Sequence, residues 1–375
     1  MRILIAPQEF KGSLNAAEAA AAIAAGIRAA RPGDTLDLLP MSDGGPGFIE
    51  AMRQPGNNDI AAVAVEDALG RNVLARYLIG REPRMAIVEA AQANGLLHLK
   101  TEERDALYAD TFGVGQILAA AASGHPWRIL VGVGGSATTD GGAGMARALG
   151  ARFLGDDGRE LPRGGAPLAA LARVEWTRPP AFDGVEITVA TDVTNPLTGP
   201  NGAAAVYGPQ KGASSAQADI LDAALVRYAM VLRRSLGVDV ANIPGGGAAG
   251  GLAAGLRAFL GARIESGFDA VASVNRLHER LAAADFVVTG EGSFDAQSTQ
   301  GKTTGRIREL AAASNKPCVI FAGRADDSSP EVRTLAELEP DPALAMRNAA
   351  ELLTELARRW ASELPGHRSR ASRLR

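Results

Sequence analysis

The segment Gly132–Gly144, "GVGGSATTDGGAG", combines six glycines with one aspartate and three hydroxyl residues. A strand-like run, "WRILV", precedes it, and a helix-like run, "MARALGARFL", follows it. Dense glycine is typical of backbone that bends sharply or approaches a ligand closely. A strand, a glycine-rich turn and a helix in succession often present backbone N–H groups to phosphate. The segment is therefore a candidate phosphate-binding turn.

Four other segments place charged or hydroxyl residues beside glycine. Their candidate groups are Lys11 and Ser13 in "APQEFKGS", Asp43 in "MSDGGPG", Asp192, Asn195 and Lys211 in "ATDVTNPLTGPNGAAAVYGPQKG", and Glu291, Asp295 and Lys302 in "TGEGSFDAQSTQGK". Because α/β sheets bind ligands at the carboxyl ends of their strands, we expect these groups to contribute to one site. A fifth segment, "PGGGAAGGLAAGL", has almost no polar groups, so tight helix packing and phosphate contact both stay open.

Alternating strand and helix patterns must position these groups. The strand "RILIAP" precedes an alanine-rich helix capped by Asn15, and the strand "TLDLLPM" precedes the short helix "FIEAMRQ". Near the end of the chain, the strands "DFVVTG" and "PCVIFAG" flank the helix "TTGRIRELAAAS". This alternation predicts an α/β fold with a doubly wound parallel sheet, Rossmann-like or flavodoxin-like.

The pattern changes near residue 60, where apolar residues alternate with period two across Gly70 and Gly80. Such alternation indicates antiparallel or mixed strands. We therefore predict a discontinuous Rossmann-like domain of residues 1–60 plus 275–375, with a second, mixed α/β domain of residues 61–274 inserted in it. Residues 364–375 are predicted to be a flexible basic tail, and a polyanion contact is the alternative.

The composition is that of a globular protein, with 46% hydrophobic and 22% charged residues and a net charge of −3. This near-balance argues against nucleic acid as a partner, and no apolar run is long enough to span a bilayer. A single cysteine, Cys318, predicts a reducing cytoplasmic location and a buried strand position for that residue. We expect a small-molecule substrate, no nucleic-acid or membrane partner, and a monomer or homodimer.

Two short motifs suggest other nucleotide-binding folds. "AQSTQGKT" fits a relaxed Walker A pattern, but a P-loop needs its strand to end just before the motif, whereas the predicted strand "DFVVTG" ends before "EGSFD". "GVGGSA" fits a relaxed dinucleotide fingerprint, but the expected acidic residue falls on Asp156 or Asp157 inside a loop. Both remain minor alternatives.

Taken together, the segments resemble the bacterial type I glycerate kinases. The motifs that carry the resemblance are, in the family's order, "GGSATTDGGAGM", "ATDVTNPLTG", "GPQKGA", "GGGAAGG" and "GEGSFDAQSTQGK". It extends from "RILIAP" to "AELLTELARR". The resemblance implies two α/β domains and an enzyme that phosphorylates D-glycerate, usually at the 2-hydroxyl, with ATP and Mg²⁺.

The chain departs from the family pattern mainly in the first two strand-end loops. Gln8 and Glu9 stand where Asp-Ser is usual, and Pro46 and Phe48 stand where Glu and Thr are usual. The resemblance implies substrate or metal contacts in these loops. Two alternatives therefore stay open: a kinase for another small hydroxy acid, and a catalytically weakened homologue that binds nucleotide or organic acid.

Phosphoryl transfer needs hydrogen-bond donors for the triphosphate, carboxylates for Mg²⁺ and a base near the acceptor hydroxyl. We assign the candidate residues to these tasks as follows: catalysis to Asp43, Asp192, Asp295 and Lys302; the substrate to Lys11, Ser13, Asp43, Asn195 and Lys211; ATP to Gly134, Gly135, Ser136, Thr138, Glu291 and Lys302; and the metal to Asp140, Asp192 and Asp295.

Several of these residues also have an ordinary structural explanation. Asp140 precedes "GGAGMARAL" and suits a helix cap, and Asn195 before a proline suits a turn. Lys211 could be a solvated surface lysine. Glu89, in an apolar run, is either a buried network member or a ligand.

Overall fold

The computed structural model describes residues 1–53, 56–295, 303–326 and 329–365. The strands of this part of the chain are β1 (Arg2–Pro7), β2 (Thr35–Leu38), β3 (Asn58–Glu66), β4 (Asn72–Gly80), β5 (Met85–Glu89), β6 (Arg128–Gly132), β7 (Arg152–Leu154), β8 (Arg173–Glu175), β9 (Glu186–Ala190), β10 (Arg263–Glu265), β11 (Phe286–Phe294), β12 (Cys318–Ala325) and β13 (Val332–Thr334). The α-helices are α1 (Ala16–Ala30), α2 (Phe48–Met52), α3 (Ala91–Asn94), α4 (Phe112–Ser123), α5 (Ala143–Ala148), α6 (Ala203–Tyr207), α7 (Ser215–Leu236), α8 (Leu252–Leu260), α9 (Gly267–Val274), α10 (Leu277–Ala283), α11 (Thr303–Ala313), α12 (Pro342–Arg347) and α13 (Ala349–Glu363).

The chain folds into two compact units, each built from segments that are not continuous in sequence. Unit 1 comprises Met1–Ser42, Glu50–Met52 and Val271–Arg375, and unit 2 comprises Asp43–Ile49 and Arg53–Ala270. The prediction from the sequence instead begins the inserted domain at residue 61 and resumes the outer domain at residue 275. The mixed α/β class with parallel strand pairing is confirmed.

The sheet of unit 1 has five parallel strands in the order β13-β12-β11-β1-β2. Numbered within this sheet, the order is 2-1-3-4-5, which is the order of flavodoxin-like sheets. The chain leaves β1 towards one edge and leaves β11 towards the other. The switch point of the sheet therefore lies between β1 and β11, where α/β proteins place their ligands.

Helix α1 of unit 1 has the predicted N-cap. The Asn15 side chain accepts the N–H of Glu18, and the Glu18 side chain accepts the N–H of Asn15, so a complete capping box starts the helix. Its buried face packs on α13, and Gly26 allows this approach because a Cβ there would lie 2.1 Å from the carbonyl oxygen of Thr354. Both helices share a core with β1, β11 and β12.

The sheet of unit 2 has six strands in the order β10-β9-β6-β5-β4-β3. Strands β5, β6, β9 and β10 are parallel, whereas β3 and β4 are antiparallel to their neighbours. The mixed pairing predicted from the period-two pattern is confirmed. A separate two-stranded sheet joins β7 and β8.

Three local predictions need correction or detail. The helix-like run "MARALGARFL" is helical only to Ala148, because Gly150 adopts a φ of +102° and the chain then enters β7. Strand β11 continues through "EGSF" to Phe294 and does not end at "DFVVTG". Cys318 is the first residue of β12 and is partly buried, and burial raises the pKa of its thiol to about 12.

None of the helices in the described ranges is both long and apolar enough to cross a membrane.

Candidate functional site

Strand register aligns four chain segments at one edge of the unit 2 sheet. Glu89 of β5 pairs with Gly132 of β6, Gly132 pairs with Ala190 of β9, and Ala190 pairs with Glu265 of β10. The residues that follow each strand therefore emerge side by side. This edge receives the Gly134–Thr138 turn, Asp192 and Ser266.

The segment Asp43–Gly47 lies against the same edge. The N–H of Gly134 donates to the carbonyl oxygen of Gly44 over 2.9 Å. A Cβ at Gly44 would lie 2.2 Å from the carbonyl oxygen of Ala190, and a Cβ at Gly134 would lie 2.5 Å from the Cα of Gly45. Glycine is required at these positions because only a bare Cα lets the two backbones approach so closely. The predicted loops of Asp43, Gly134 and Asp192 are thus neighbours in unit 2.

Asp192 is held by the segment that follows β10. Ser266 Oγ donates to Oδ1 of Asp192 over 2.8 Å, and the backbone N–H groups of Gly267 and Phe268 also donate to this carboxylate. Desolvation by the surrounding protein raises the pKa of Asp192, and the like charge of Asp43 raises it further. The hydrogen bonds from Ser266, Gly267 and Phe268 lower it and so oppose both effects.

Two interacting carboxylates, Asp43 and Asp192, suit a divalent cation, because a cation relieves their mutual repulsion. No three metal-ligating side chains converge within the described part of the chain. Mg²⁺ does not require three, since it commonly takes one or two carboxylates and completes its shell with water and phosphate oxygens. The donor set present in unit 2 therefore fits Mg²⁺.

Lys211 is buried and is not the solvated surface lysine that the sequence left open. The residue is 2% exposed, and its Nζ donates to the carbonyl oxygen of Thr138 over 2.6 Å and to Ser136 Oγ over 3.1 Å. Burial lowers the pKa of Lys211 to about 7, and the negative charge of Asp140 opposes this shift.

Asp140 is fully buried and accepts hydrogen bonds on both carboxylate oxygens. Oδ2 accepts the N–H and hydroxyl of Thr111 and the N–H of Gly144, and Oδ1 accepts the N–H of Gly142. Burial raises the pKa of Asp140, and the like charge of Asp110 adds to this effect. Of the two explanations that the sequence left open for Asp140, these contacts favour a structural role near the start of α5. A metal contact by Asp140 stays a prediction.

The Gly134–Gly144 backbone uses many of its N–H groups within unit 2. Besides Gly134, the N–H of Ala137 donates to Asn94 O and the N–H of Gly141 donates to Gly250 O. Fewer N–H groups are therefore available to phosphate than the sequence predicted, since the N–H of Gly134 already has a protein acceptor. Gly135 adopts a φ of +74° and is exposed, and Ser136 and Thr138 are buried.

The glycine-rich segment "PGGGAAGGLAAGL" packs on this turn. A Cβ at Gly250 would lie 1.9 Å from Thr138 O, and a Cβ at Gly255 would lie 2.5 Å from Gly141 O. Of the two explanations that the sequence left open, these contacts favour tight packing.

Asn195 has the contacts of a turn residue. Its Oδ1 accepts the hydroxyl of Tyr207 over 2.8 Å, and its Nδ2 donates to Asn201 O over 2.8 Å. Both ends of the amide thus serve the loop, and a substrate contact by Asn195 stays a prediction.

Glu89 is a buried network member. Its carboxylate accepts the N–H of Gly47 over 3.3 Å and that of Ile49 over 3.1 Å, so it lies at the start of α2. Phe48, one of the departures from the family pattern, is fully buried, and a Cβ at Gly132 would lie 2.6 Å from its ring. Phe48 is therefore a core residue of unit 2.

In unit 1, the described candidate residues flank the switch point of the sheet. Lys11 and Ser13 follow β1, Glu291 lies in β11, and Asp295 directly follows β11. A Cβ at Gly292 would lie 3.0 Å from the backbone nitrogen of Lys11, so the two segments run side by side. The Lys11 side chain is exposed, and Ser13 Oγ donates to Phe10 O over 2.9 Å.

Lys302 lies outside the described residues, as does most of the Walker A-like motif. The spacing argument against a P-loop was wrong, because β11 reaches Phe294 and only Asp295 separates it from Ala296. The next described residue, Thr303, begins α11.

Sequence reasoning missed three polar residues that support the candidate groups: Ser266, Thr111 and Asn94. Asn94 Nδ2 donates to Thr138 Oγ1 over 3.1 Å, and Thr111 Oγ1 donates to Asp140 over 2.8 Å. For Ser266, the available signal was its place directly after the short strand "RIE". The other two carried no local signal, because their partners are at least 29 residues away.

Comparisons with known proteins agree with the motif resemblance. The model of the glycerate kinase family matches residues 3–364. The chain is 43% identical over 322 residues to a glycerate kinase of Halalkalibacterium halodurans, covering 86% of this chain and 85% of the relative. It is 40% identical over 328 residues to glycerate 2-kinase of Escherichia coli K12, covering 87% and 86%.

A solved structure from Salmonella typhimurium LT2, described as a glycerate kinase 2, is also similar. Its TM-score is 0.82 at 40% sequence identity, with 96% of this chain and 97% of that chain covered. The chain belongs to the glycerate kinase family.

Proposed function

We propose that the protein transfers the γ-phosphoryl group of ATP to D-glycerate, at the 2-hydroxyl, giving 2-phosphoglycerate. Family membership supports the reaction class, and the relative from Escherichia coli supports the 2-hydroxyl as acceptor. The structural observation that carries the proposal is the placement of Asp192 by Ser266 beside the charge of Asp43.

Asp192 is the proposed general base. A carboxylate must accept the hydroxyl proton as the oxygen attacks phosphorus, and a raised pKa makes it a stronger base near neutral pH. The pKa of Asp192 is raised, and the Ser266 hydroxyl and two backbone N–H groups orient its carboxylate. Asp43 is also a proposed catalytic carboxylate. For Asp295 of unit 1, a catalytic role stays a prediction from the sequence.

Asp43 of unit 2 would hold Mg²⁺, whereas Asp192 keeps the role of base, because a cation bound to its carboxylate would lower its pKa. Metal binding by Asp192 and by Asp295 of unit 1 stays a prediction from the sequence. The metal, when bound, neutralises charge on the phosphate oxygens. In unit 2, Gly135, Ser136 and Thr138 are proposed to contact the phosphate oxygens of ATP. For Glu291 and Lys302, a contact with ATP stays a prediction from the sequence.

The exposed ammonium of Lys11 is the proposed partner of the substrate carboxylate, and Ser13 is proposed to assist it. An exposed lysine at the carboxyl end of a parallel strand is free to reach an anion. One departure from the family pattern, Phe48, does not argue for a different substrate, because Phe48 is a core residue of unit 2.

The decisive experiment is product identification. Purified protein is incubated with D-glycerate and Mg²⁺-ATP, and the product is compared by ³¹P NMR with authentic 2-phosphoglycerate and 3-phosphoglycerate. We expect 2-phosphoglycerate. Formation of 3-phosphoglycerate would overturn the regiochemistry, and preferential turnover of another small hydroxy acid in a parallel panel would overturn the substrate.

A variant tests the proposed base. Asp192→Asn is expected to lower kcat by at least about 100-fold, because general base catalysis contributes that much or more. Asp183→Asn is the matched control, since Asp183 is an exposed aspartate of the same unit. Equal kcat values for the two variants would remove Asp192 from the mechanism.

A cytoplasmic location for the reaction stays a prediction from the single cysteine.

A further inference from the structure

Lys211 ends a short turn, Pro209–Lys211, and its side chain points into unit 2. Lysine is almost never fully buried unless its amine has partners. The partners here are Ser136 Oγ and the carbonyl oxygen of Thr138, at 3.1 and 2.6 Å. Both belong to the Gly134–Thr138 turn, 73 to 75 residues earlier in the chain.

Asn94 also holds the same turn. The Asn94 side chain donates to Thr138 Oγ1, and Asn94 O accepts the N–H of Ala137. The turn is thus bonded both by the amide of Asn94 and by the amine of Lys211. A substrate carboxylate cannot reach this amine without displacing the turn, because Lys211 is 2% exposed.

We propose that Lys211 is a positioning residue, which holds the Gly134–Thr138 turn in the conformation that accepts the phosphate chain of ATP, and that it does not bind the substrate carboxylate. The inference rests on the proposed function for the identity of the ligand at the turn. It replaces the substrate-binding role that the sequence predicted for Lys211.

The charged surroundings of Lys211 make its protonation state a useful readout. Asp140 is the charge that acts directly on Lys211, and Asp140 in turn interacts with Asp110, Arg147 and Tyr228. Arg104 packs on Gly212, the residue after Lys211, and Arg104 Nη1 donates to Gln210 O. Burial lowers the pKa of Lys211 to about 7, so both forms of the amine occur near neutral pH.

The test uses the full-length Lys211→Met variant, which keeps an unbranched apolar stem of similar length but has no donor. Lys316→Met is the matched control, because Lys316 Nζ also donates to two carbonyl oxygens, those of Ala282 and Ala284, both in unit 1. Thermal unfolding first shows whether each variant folds cooperatively.

Amide hydrogen exchange without any substrate is the first readout. We expect Lys211→Met to increase exchange at least tenfold within residues 134–138, and Lys316→Met to leave these amides unchanged. Unchanged exchange in a folded Lys211→Met protein would overturn the proposal. This readout does not depend on activity, so failure of the proposed function leaves it intact.

Steady-state kinetics are the second readout. We expect Lys211→Met to lower kcat/KM for ATP about 30-fold or more, with less than a threefold change in KM for D-glycerate, and to remove a limb near pH 7 from the pH profile. A rise confined to the KM for D-glycerate would instead indicate direct substrate binding. Unchanged kinetics would show that Lys211 contributes only to stability.

Ser136→Ala provides the coupling test. If Lys211 acts through the turn, the losses of the two single variants in kcat/KM should not multiply in Lys211→Met/Ser136→Ala, because both remove the same bond. Fully multiplicative losses would contradict that pathway. If Lys211→Met does not fold, Lys211→Leu replaces it, because leucine also lacks a donor, and the same directions are expected.

Discussion

The hydroxyl of Ser266 donates a 2.8 Å hydrogen bond to Oδ1 of Asp192, although 74 residues separate the two. The contact exists because β9 and β10 are parallel neighbours whose register pairs Ala190 with Glu265. The residues that follow both strands therefore meet at one edge of the sheet. Among the candidate catalytic carboxylates, Asp192 thus has an identified partner that can be removed without altering the carboxylate itself.

Removal of the Ser266 hydroxyl is expected to shift the pH dependence of the reaction. The hydrogen bond stabilises the ionised form of Asp192, so Ser266→Ala should raise the pKa of this carboxyl further. Because the base must be ionised, the acidic limb of the kcat/KM profile should move to higher pH. Ser123→Ala, at the exposed end of α4, is the control, and an unmoved limb in Ser266→Ala would contradict the assignment of Asp192.

Buried Lys211 predicts a pH-dependent stability. Its folded-state pKa is about 7, against an ordinary value of 10.5 for lysine, so the unfolded chain binds more protons between these pH values. The free energy of unfolding of the wild type should therefore rise, relative to Lys211→Met, by about 2–3 kcal/mol between pH 6 and pH 9. Urea unfolding at the two pH values measures this difference. A constant difference would mean that the amine titrates normally.

Asp140→Asn tests whether this carboxylate is structural. An amide presents one oxygen where the carboxylate presents two, so at least one N–H donor would lose its acceptor in a buried site. We expect a loss of about 2–4 kcal/mol in the free energy of unfolding. The exposed Asp183→Asn should change stability by less than about 0.5 kcal/mol. If Asp140→Asn keeps its stability but needs a much higher Mg²⁺ concentration for activity, the contacts of Asp140 are not mainly structural and the metal role predicted from the sequence is supported.

Gly132→Ala probes the packing of Phe48. The new Cβ would lie 2.6 Å from Phe48 Cδ1 and 2.9 Å from Gly44 O, so the aromatic ring and the Asp43–Gly47 segment must move. Overpacking of this kind costs about 1–3 kcal/mol in folding free energy. Phe48→Leu in the Gly132→Ala background should restore part of the loss, because the smaller side chain makes room for the methyl group. Additive losses in the double variant would show that the two residues do not interact in this way.

Patterns within short stretches determined much of the fold. The helix cap at Asn15 and the buried run of β1 are properties of neighbouring residues, so their prediction did not need the rest of the molecule. The mixed pairing after residue 60 followed from period-two alternation in the same way. The family was likewise determined by ordered motifs, each of which is local.

The roles of individual polar residues were decided by tertiary structure. An aspartate beside glycines is equally suited to a ligand and to a cap, and only the approach of Thr111 identified Asp140 as a buried acceptor. Lysine in "GPQKGA" carries no mark of burial, yet Lys211 lies under a turn more than 70 residues away.

Local sequence patterns also predicted the wrong end for a strand where contacts with a distant segment extend it. Strand β11 continues beyond the apolar run "DFVVTG" because β12 pairs with it as far as Phe294. The sequence therefore determined the elements, their order and the family, since these depend on neighbouring residues. Which carboxylates and amines face a ligand and which are held within each unit depends on strand register and on contacts between distant segments, and only the folded chain decides these.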